Sequence, residues 1–225
     1  DEKEIEATRK ACRISSKVAG EIPGMLKAGI TEKEVATMID NRMRELGGTG
    51  NAFDTIAAFG ENASQPHYSP GDRKLKSGDV ALFDFGTKYD MYCSDMTRTV
   101  FFGEPPAVLR RAYEVVREAQ QLGFEKYRDG AKACEADIAA RDLIDSGEFK
   151  GRFIHSFGHG IGMEVHQDIS IYAKSEQILR TGNVISAEPG IYLPGIGGIR
   201  IEDTCLVKDD GAERLTEFDR DITVI

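Results

Sequence analysis

The chain has 225 residues and a formal net charge of −9, with 30% charged and 40% hydrophobic residues, the balance of an ordinary globular protein. No basic stripe interrupts that acidity, which argues against nucleic acid as a main partner. No apolar run approaches the roughly 20 residues that a membrane span needs, so no membrane partner is expected.

The first expected element is a helix over about 2–26, with Ile5, Cys12, Ile14, Val18, Ile22 and Met25 apolar and Gly20, Pro23 and Gly24 weakening its last turns. Thr31 then caps a second helix. Glu34 completes a T-x-x-E capping box, Val35, Met38, Ile39, Met43 and Leu46 form the stripe, and Gly47-Gly48 ends it. Short strands are expected at 55–59, 80–85 and 97–102. Pro105-Pro106 opens a third helix with the stripe Leu109, Tyr113, Val116, Gln120 and Phe124, closed by Arg128-Asp-Gly. A shorter helix covers about 134–144. Strand patterns follow at 152–157, 184–187, 199–207 and 222–225, with Lys208-Asp-Asp-Gly as a hairpin turn. The order helix, helix, strands thus occurs twice, dividing near Gly103-Glu104. No linker separates the halves, about 1–103 and 104–225, so one α+β domain over 1–225 is expected, with its site between them.

Four acidic residues fall where charge is costly. Asp84 interrupts an apolar strand pattern from Val80 to Phe85, and Glu202 interrupts Ile199-Arg-Ile-Glu-Asp. Asp95 lies 11 residues after Asp84, and Glu202 lies 14 after Glu188. If each pair closes a hairpin, one centred on residues 88–91 and the other on 194–196, each pair is opposed, with Cβ atoms about 4.5–5.5 Å apart. Such pairs can share a metal. Three of the four histidines, His155, His159 and His166, lie within twelve residues, and glycines at 158, 160 and 162 surround His159. Asp84, Asp95, His159, Glu188 and Glu202 are therefore the candidate ligands. Carboxylates with one imidazole suit Mn, Fe, Co or Zn. Two such ions about 3.5–4 Å apart would activate water and clamp an oxyanion, which makes a hydrolase the expected class.

Six motifs in order carry a specific resemblance. They are Asp84-Phe-Gly, Ser94-Asp-Met-Thr-Arg-Thr99, Gly158-His-Gly-Ile-Gly162, Glu164-Val-His166, Ala187-Glu-Pro-Gly-Ile-Tyr192 and Arg200-Ile-Glu-Asp203. Together they resemble the Xaa-Pro peptidases, prolidase and aminopeptidase P, within the pita-bread group that includes methionine aminopeptidase and creatinase. The resemblance implies a pita-bread fold, two pseudo-symmetric halves of curved antiparallel sheet covered by helices. It implies two divalent ions (Mn, Co or Zn) and hydrolysis of the bond before proline in a di- or oligopeptide substrate. By the same resemblance Asp84 chelates one ion, His159 and Glu188 the other, and Asp95 and Glu202 bridge both. Glu188 also shuttles a proton, His166 contacts the scissile carbonyl, and His67 lines the substrate side. Arg200, two residues before Glu202, is expected to share its face as a partner for the carboxylates, and Thr97 to hydrogen-bond a ligand. His155 orders the wall near His159 or is simply structural.

The run His166-Gln-Asp-Ile-Ser170 departs from the family, because Ser170 stands where prolidase-type enzymes can use an arginine to hold a dipeptide carboxylate. The branch usually carries an N-terminal domain, which is not expected within these 225 residues, and the resemblance admits a homodimer. The residues leave open a methionine aminopeptidase-like enzyme or a non-catalytic peptide-binding module. A metal-free, creatinase-like enzyme fits less well with five ligands present. Cys12, Cys93, Cys134 and Cys205 are widely spaced, and free thiols in a reducing, cytoplasmic setting are the expectation. No secretory signal precedes the first helix, and a start at Asp1 suggests a processed or excised chain.

Overall fold

The computed structural model describes residues 1–225. Its elements in chain order are α1 (Glu2–Met25), α2 (Glu32–Glu45), β1 (Gly50–Asn51), β2 (Ile56–Phe59), a 3₁₀ turn (Gly60–Ser64), β3 (Asp79–Phe85), β4 (Thr87–Tyr89), β5 (Tyr92–Cys93) and β6 (Met96–Phe102). The second half holds α3 (Ala107–Phe124), α4 (Cys134–Asp145), β7 (Gly158–Gly160), β8 (Gln167–Ile171), β9 (Val184–Ala187), β10 (Gly190–Leu193), β11 (Gly197–Arg200), β12 (Asp203–Val207) and β13 (Ala212–Arg214).

Caps set the early helices where the sequence places them. The Glu34 amide donates to Thr31 Oγ1 at 3.2 Å, and the Thr31 amide donates back to Glu34 Oε2 at 2.8 Å, satisfying donors that a helix start leaves orphaned. Val35, Ile39 and Met43 are buried, while Met38 sits off that stripe and is 40% exposed. Pro23 lies in the last turn of α1, where it removes one helical hydrogen bond and the helix ends two residues later.

Strand alternation then sorts the first half into two faces. In the sheet β2-β3-β6, Ala57, Phe59, Ala81, Phe83, Phe85, Met96 and Val100 face the α1–α2 layer, where they pack with Val18, Ile22 and Ile39. Ile56, Ala58, Val80, Leu82 and Phe101 belong to a second core with Leu109, Val116, Ile191 and Ile199 of the other half. Asp84 follows Leu82 by two residues, so it shares the face turned toward the second half. The five-stranded sheet β13-β12-β9-β7-β8 and the hairpin β10-β11 form the matching floor.

Several local expectations need correction. Asp84 pairs with Thr97, not Asp95, because the β4–β5 turn is centred on Asp90 and Met91. Both residues carry positive φ (48° and 74°), the geometry of a two-residue hairpin turn, and this moves the axis by one residue and the register by two. The 152–157 segment is not a strand; β7 begins at Gly158 and pairs with β8, which the apolar pattern had hidden because its residues are mostly exposed. The stretch 199–207 is two strands, not one. Its break falls at Ile201-Glu202, where the Glu202 amide donates across to Thr97 O at 3.1 Å. The 222–225 tail is no full strand but runs parallel to the end of β6, bridging Phe101 to Val224, with the Phe101 amide donating to Thr223 O and the Ile225 amide to Phe101 O, both at 2.9 Å.

Candidate metal centre

The second acidic pair falls as the sequence places it. Ala187 pairs with Asp203 and Gly190 with Arg200, so the shared register sets Glu188 opposite Glu202 in the gap between the two ladders. Both backbones leave the sheet there: the Glu188 amide donates to Phe157 O at 2.8 Å while Glu202 bonds Thr97. The gap lets both carboxylates project toward β3 and β6. Asp95 precedes β6, its amide donating to Thr204 Oγ1 at 3.1 Å. Asp84, Asp95, His159, Glu188 and Glu202 all line one cleft of about 470 Å³. His67, His155, His166, Ser170 and Arg200 line it too, while buried Thr97 lies just behind.

His159 reaches the cleft because Gly158 lacks a Cβ, which would stand 2.2 Å from Ser186 O. That close approach lets the His159 amide donate to Ser186 Oγ at 3.0 Å, and Ser186 Oγ donates in turn to Glu188 Oε1 at 3.1 Å. His159 Nδ1 lies 3.1 Å from Gly160 O, the arrangement that keeps the proton on Nδ1 and turns Nε2 into the cleft. Nε2 stands 3.1 Å from Glu188 Oε1 and 3.5 Å from Asp95 Oδ2. Donor atoms of Asp95, His159 and Glu202 lie within 4.8 Å of one another.

Four carboxylates share this volume with one guanidinium. Arg200 is 3% exposed and donates from Nη2 to Asp84 Oδ2 (2.6 Å), from Nε to Thr97 Oγ1 (3.0 Å) and from Nη1 to Tyr192 OH (2.8 Å). Thr97 Oγ1 in turn donates to Glu202 Oε2 at 2.7 Å. Tyr192 OH also meets His155 Nε2 at 2.8 Å, which ties the cleft wall to the same network. The compensation is incomplete: Asp84 Oδ1 and Glu202 Oε1 are buried without any hydrogen-bond partner. Burial pushes Asp84, Asp95 and Glu202 above the usual carboxylate range, and the neighbouring Glu188 charge adds to it. Glu188 goes the other way: burial raises it, but the His159 hydrogen bond and charge outweigh that and hold it at about 2. The partner effect is mirrored on His159, where burial opposes charge but Glu188 raises it overall. The His159 shift rests on a proton shared between Nε2 and Glu188 Oε1. Burial and the adjoining His159 lower His166, whose ring lies 4.0 Å from His159 centroid to centroid.

Orphaned anionic oxygens beside an imidazole with a free nitrogen fit hard or borderline divalent cations, which would satisfy them at the positions where protein donors fail. The residues present therefore suit a metal. Sequence reasoning left Tyr192 and Ser186 without roles, although Ser186 lies two residues before Glu188, and Tyr192, paired with Gly198 across the hairpin, falls on the face of Arg200.

Residues 6–209 match metallopeptidase family M24, and the chain belongs to that family. An uncharacterized peptidase of Staphylococcus haemolyticus is 40% identical over 220 residues, 98% of this chain and 63% of that protein. The X-Pro aminopeptidase of Thermotoga maritima superposes with a TM-score of 0.97 at 40% identity, over 100% of this chain and 64% of that one. Prolidase from Pyrococcus furiosus gives 0.95 at 40% identity, covering 97% and 65%. The fold is the α+β pita-bread arrangement of these proteins. The chain thus spans just under two thirds of the length of the relatives it matches. No helix in it is long and apolar enough to cross a membrane.

Proposed function

We propose that this chain is the catalytic unit of a dinuclear metallopeptidase that hydrolyses the bond between an N-terminal residue and a following proline. The observation that carries this is the convergence of Asp84, Asp95, His159, Glu188 and Glu202, with buried anionic oxygens that no protein group satisfies. Membership of M24 and likeness to an X-Pro aminopeptidase and a prolidase support the choice of substrate. Asp84 and Asp95 would hold one ion and His159 and Glu188 the other, with Asp95 and Glu202 shared. Mn²⁺, Co²⁺ or Zn²⁺ suits that donor set. Bound there, the pair supplies Lewis-acid activation of water and of the scissile carbonyl.

The rest of the chemistry belongs to side chains. His166, held neutral by burial and by its histidine neighbour, presents an N–H where negative charge develops on the carbonyl oxygen. Glu188 takes a proton from the attacking water at a carboxylate oxygen and delivers it to the departing proline nitrogen. His67 shapes the substrate side of the cleft. Arg200 and Thr97 orient Asp84 and Glu202 through the bonds already described. Arg200 is the only lysine or arginine lining the cleft, and Asp84, Thr97 and Tyr192 occupy it. Ser170, opposite His159 on β8, offers no charge to a substrate carboxylate.

Free dipeptides should therefore hold no large advantage over longer peptides that begin Xaa-Pro. The test compares kcat/KM of metal-loaded protein for Xaa-Pro, Xaa-Pro-Xaa and the matching Xaa-Ala peptides. Pocket contact discriminates by about 1–3 kcal/mol per methylene-sized difference, so proline should be preferred by a finite factor. Equal rates on proline and alanine peptides would refute the substrate assignment. A large advantage for free dipeptides would instead show that a cationic group outside this cleft reads the carboxylate.

A further inference from the structure

A second carboxylate is buried away from the metal centre, and its partners lead back to the cleft. Glu32, the first residue of α2, is fully buried. Its Oε1 accepts from the Phe59 amide (2.8 Å) and Asn62 Nδ2 (2.9 Å); its Oε2 accepts from Tyr68 OH (2.8 Å) and the Gly71 amide (3.0 Å). Asn62 Nδ2 also donates to Tyr68 OH at 2.8 Å, closing the cluster. All four donors are neutral, and all four belong to the segment 59–71. Backbone bonds follow the same line: the Glu32 amide donates to Arg73 O and the Lys33 amide to Gly71 O, both at 3.2 Å. Burial of a carboxyl is costly unless its oxygens are hydrogen-bonded, and here four donors satisfy both of them.

That segment is the cleft wall. Pro66, His67, Tyr68 and Ser69 line the same cleft as Asp84 and His159. Within 65–69 the hydrogen bond to the metal centre is that of Pro66 O, which accepts from Arg200 Nη1 at 3.4 Å, a long contact, while Tyr68 packs against the core. The segment's outer side is tied to Glu32 directly by Tyr68 OH, and its two flanks are anchored to the same carboxyl by Phe59 and Asn62 before it and Gly71 after it. Residues 65–69 contain no helix or strand that could hold their shape otherwise.

We propose that Glu32 is a positioning residue: its carboxylate sets the 65–69 wall and thereby the place of His67 over the reacting centre. This rests on the hydrolytic reading above for its effect on rate, though not for its effect on the wall. Glutamine keeps the shape of Glu32 but turns one acceptor into a donor. Tyr68 OH can rotate to accept from it, whereas a backbone N–H cannot, so either Phe59 or Gly71 loses its acceptor.

The experiment is a double-mutant cycle on metal-loaded protein with an Xaa-Pro substrate, using Glu32→Gln, His67→Ala and both together. Metal content and amide hydrogen exchange are measured on the same samples. Misplacing a group by about 1 Å can cost on the order of a hundredfold, so Glu32→Gln should lower kcat/KM by roughly ten- to a hundredfold with metal content unchanged. In the His67→Ala background it should lower kcat/KM no further. Exchange should quicken across 65–71 and stay as in the parent across 184–207. The same factor in both backgrounds, or unchanged exchange across 65–71, would overturn the proposal, since a merely stabilising carboxylate acts independently of His67. If Glu32→Gln does not fold, Asn62→Ala takes its place in the cycle. Asn62 does not line the cleft, yet it donates to both Glu32 and Tyr68. A parent protein inactive on every proline peptide would sink the hydrolytic reading alone, and the exchange result would still decide the wall.

Discussion

Thr97→Val probes the balance of charge behind the metal centre with almost no change of volume. Thr97 is fully buried, and its hydroxyl joins Glu202 Oε2 at 2.7 Å to Arg200 Nε at 3.0 Å. Valine replaces that hydroxyl with a methyl group and opens no cavity. Two hydrogen bonds to charged groups disappear, each worth about 1.5–3 kcal/mol, a loss of about 3–6 kcal/mol. The added methyl returns about 0.8 kcal/mol, leaving a net cost of about 2–5 kcal/mol. Because Glu202 Oε1 already lacks a partner, the variant leaves that carboxylate with neither oxygen bonded. A cation on Glu202 replaces the missing donor, so the cost with metal bound should fall to about the Arg200 half, roughly 1–3 kcal/mol. Urea unfolding of parent and variant, in chelator and in saturating Mn²⁺, measures both values. Equal costs in the two conditions, or a cost under about 1 kcal/mol in chelator, would refute the claim that Glu202 depends on a cation.

Four further outcomes are expected. Chelation should lower the melting temperature, and metal should restore it, because metal at a hundredfold excess over Kd adds about 2.7 kcal/mol to the folded state; no shift after confirmed metal loss would count against a shared carboxylate site. His166→Ala should keep its metal and lose kcat, while His159→Ala should lose metal affinity, as metal analysis and steady-state kinetics would separate; the opposite pattern would exchange their roles. Asp203→Ala should cost about 3–5 kcal/mol in urea unfolding, since Asp203 is fully buried against Arg98 (2.7 Å) and its loss strands that guanidinium, which also holds the Thr97 and Glu202 carbonyls. The Arg9 hydrogen bond and charge lower Glu213 to about 2, so this pair contributes stability above the ordinary value of 4.5 and loses it as pH falls toward 2. Arg9→Met should therefore flatten the parent's pH dependence of unfolding within that window and nowhere else; parallel curves would contradict it.

The helices were legible because their signals are local. Thr31 with Glu34, and the buried Val35, Ile39 and Met43, announce α2 without any tertiary information. The site was legible through anomaly: a carboxylate between Phe83 and Phe85, or beside Ile201, has no place in an apolar strand unless something compensates it. Register was less legible. The Glu188–Glu202 axis could be read because Pro194-Gly195-Ile196 mark the turn plainly. The Asp84–Asp95 axis could not, because Asp90 and Met91 form a positive-φ turn without glycine. Asp95, two residues before Thr97, therefore meets Asp84 as a diagonal neighbour on the same face and not as its direct partner. Glu32 was invisible for a different reason. At the start of a helix it looks like any acidic first-turn residue, and only packing reveals that its charge is buried.

Native mass spectrometry of the intact chain after Mn²⁺ loading and removal of free metal tests the central claim most directly. The account predicts two ions per chain in the parent, with occupancy weakened by Glu202→Gln and by His159→Ala. A parent that retains no ion, or one that binds two ions as tightly without the Glu202 carboxylate, would contradict it.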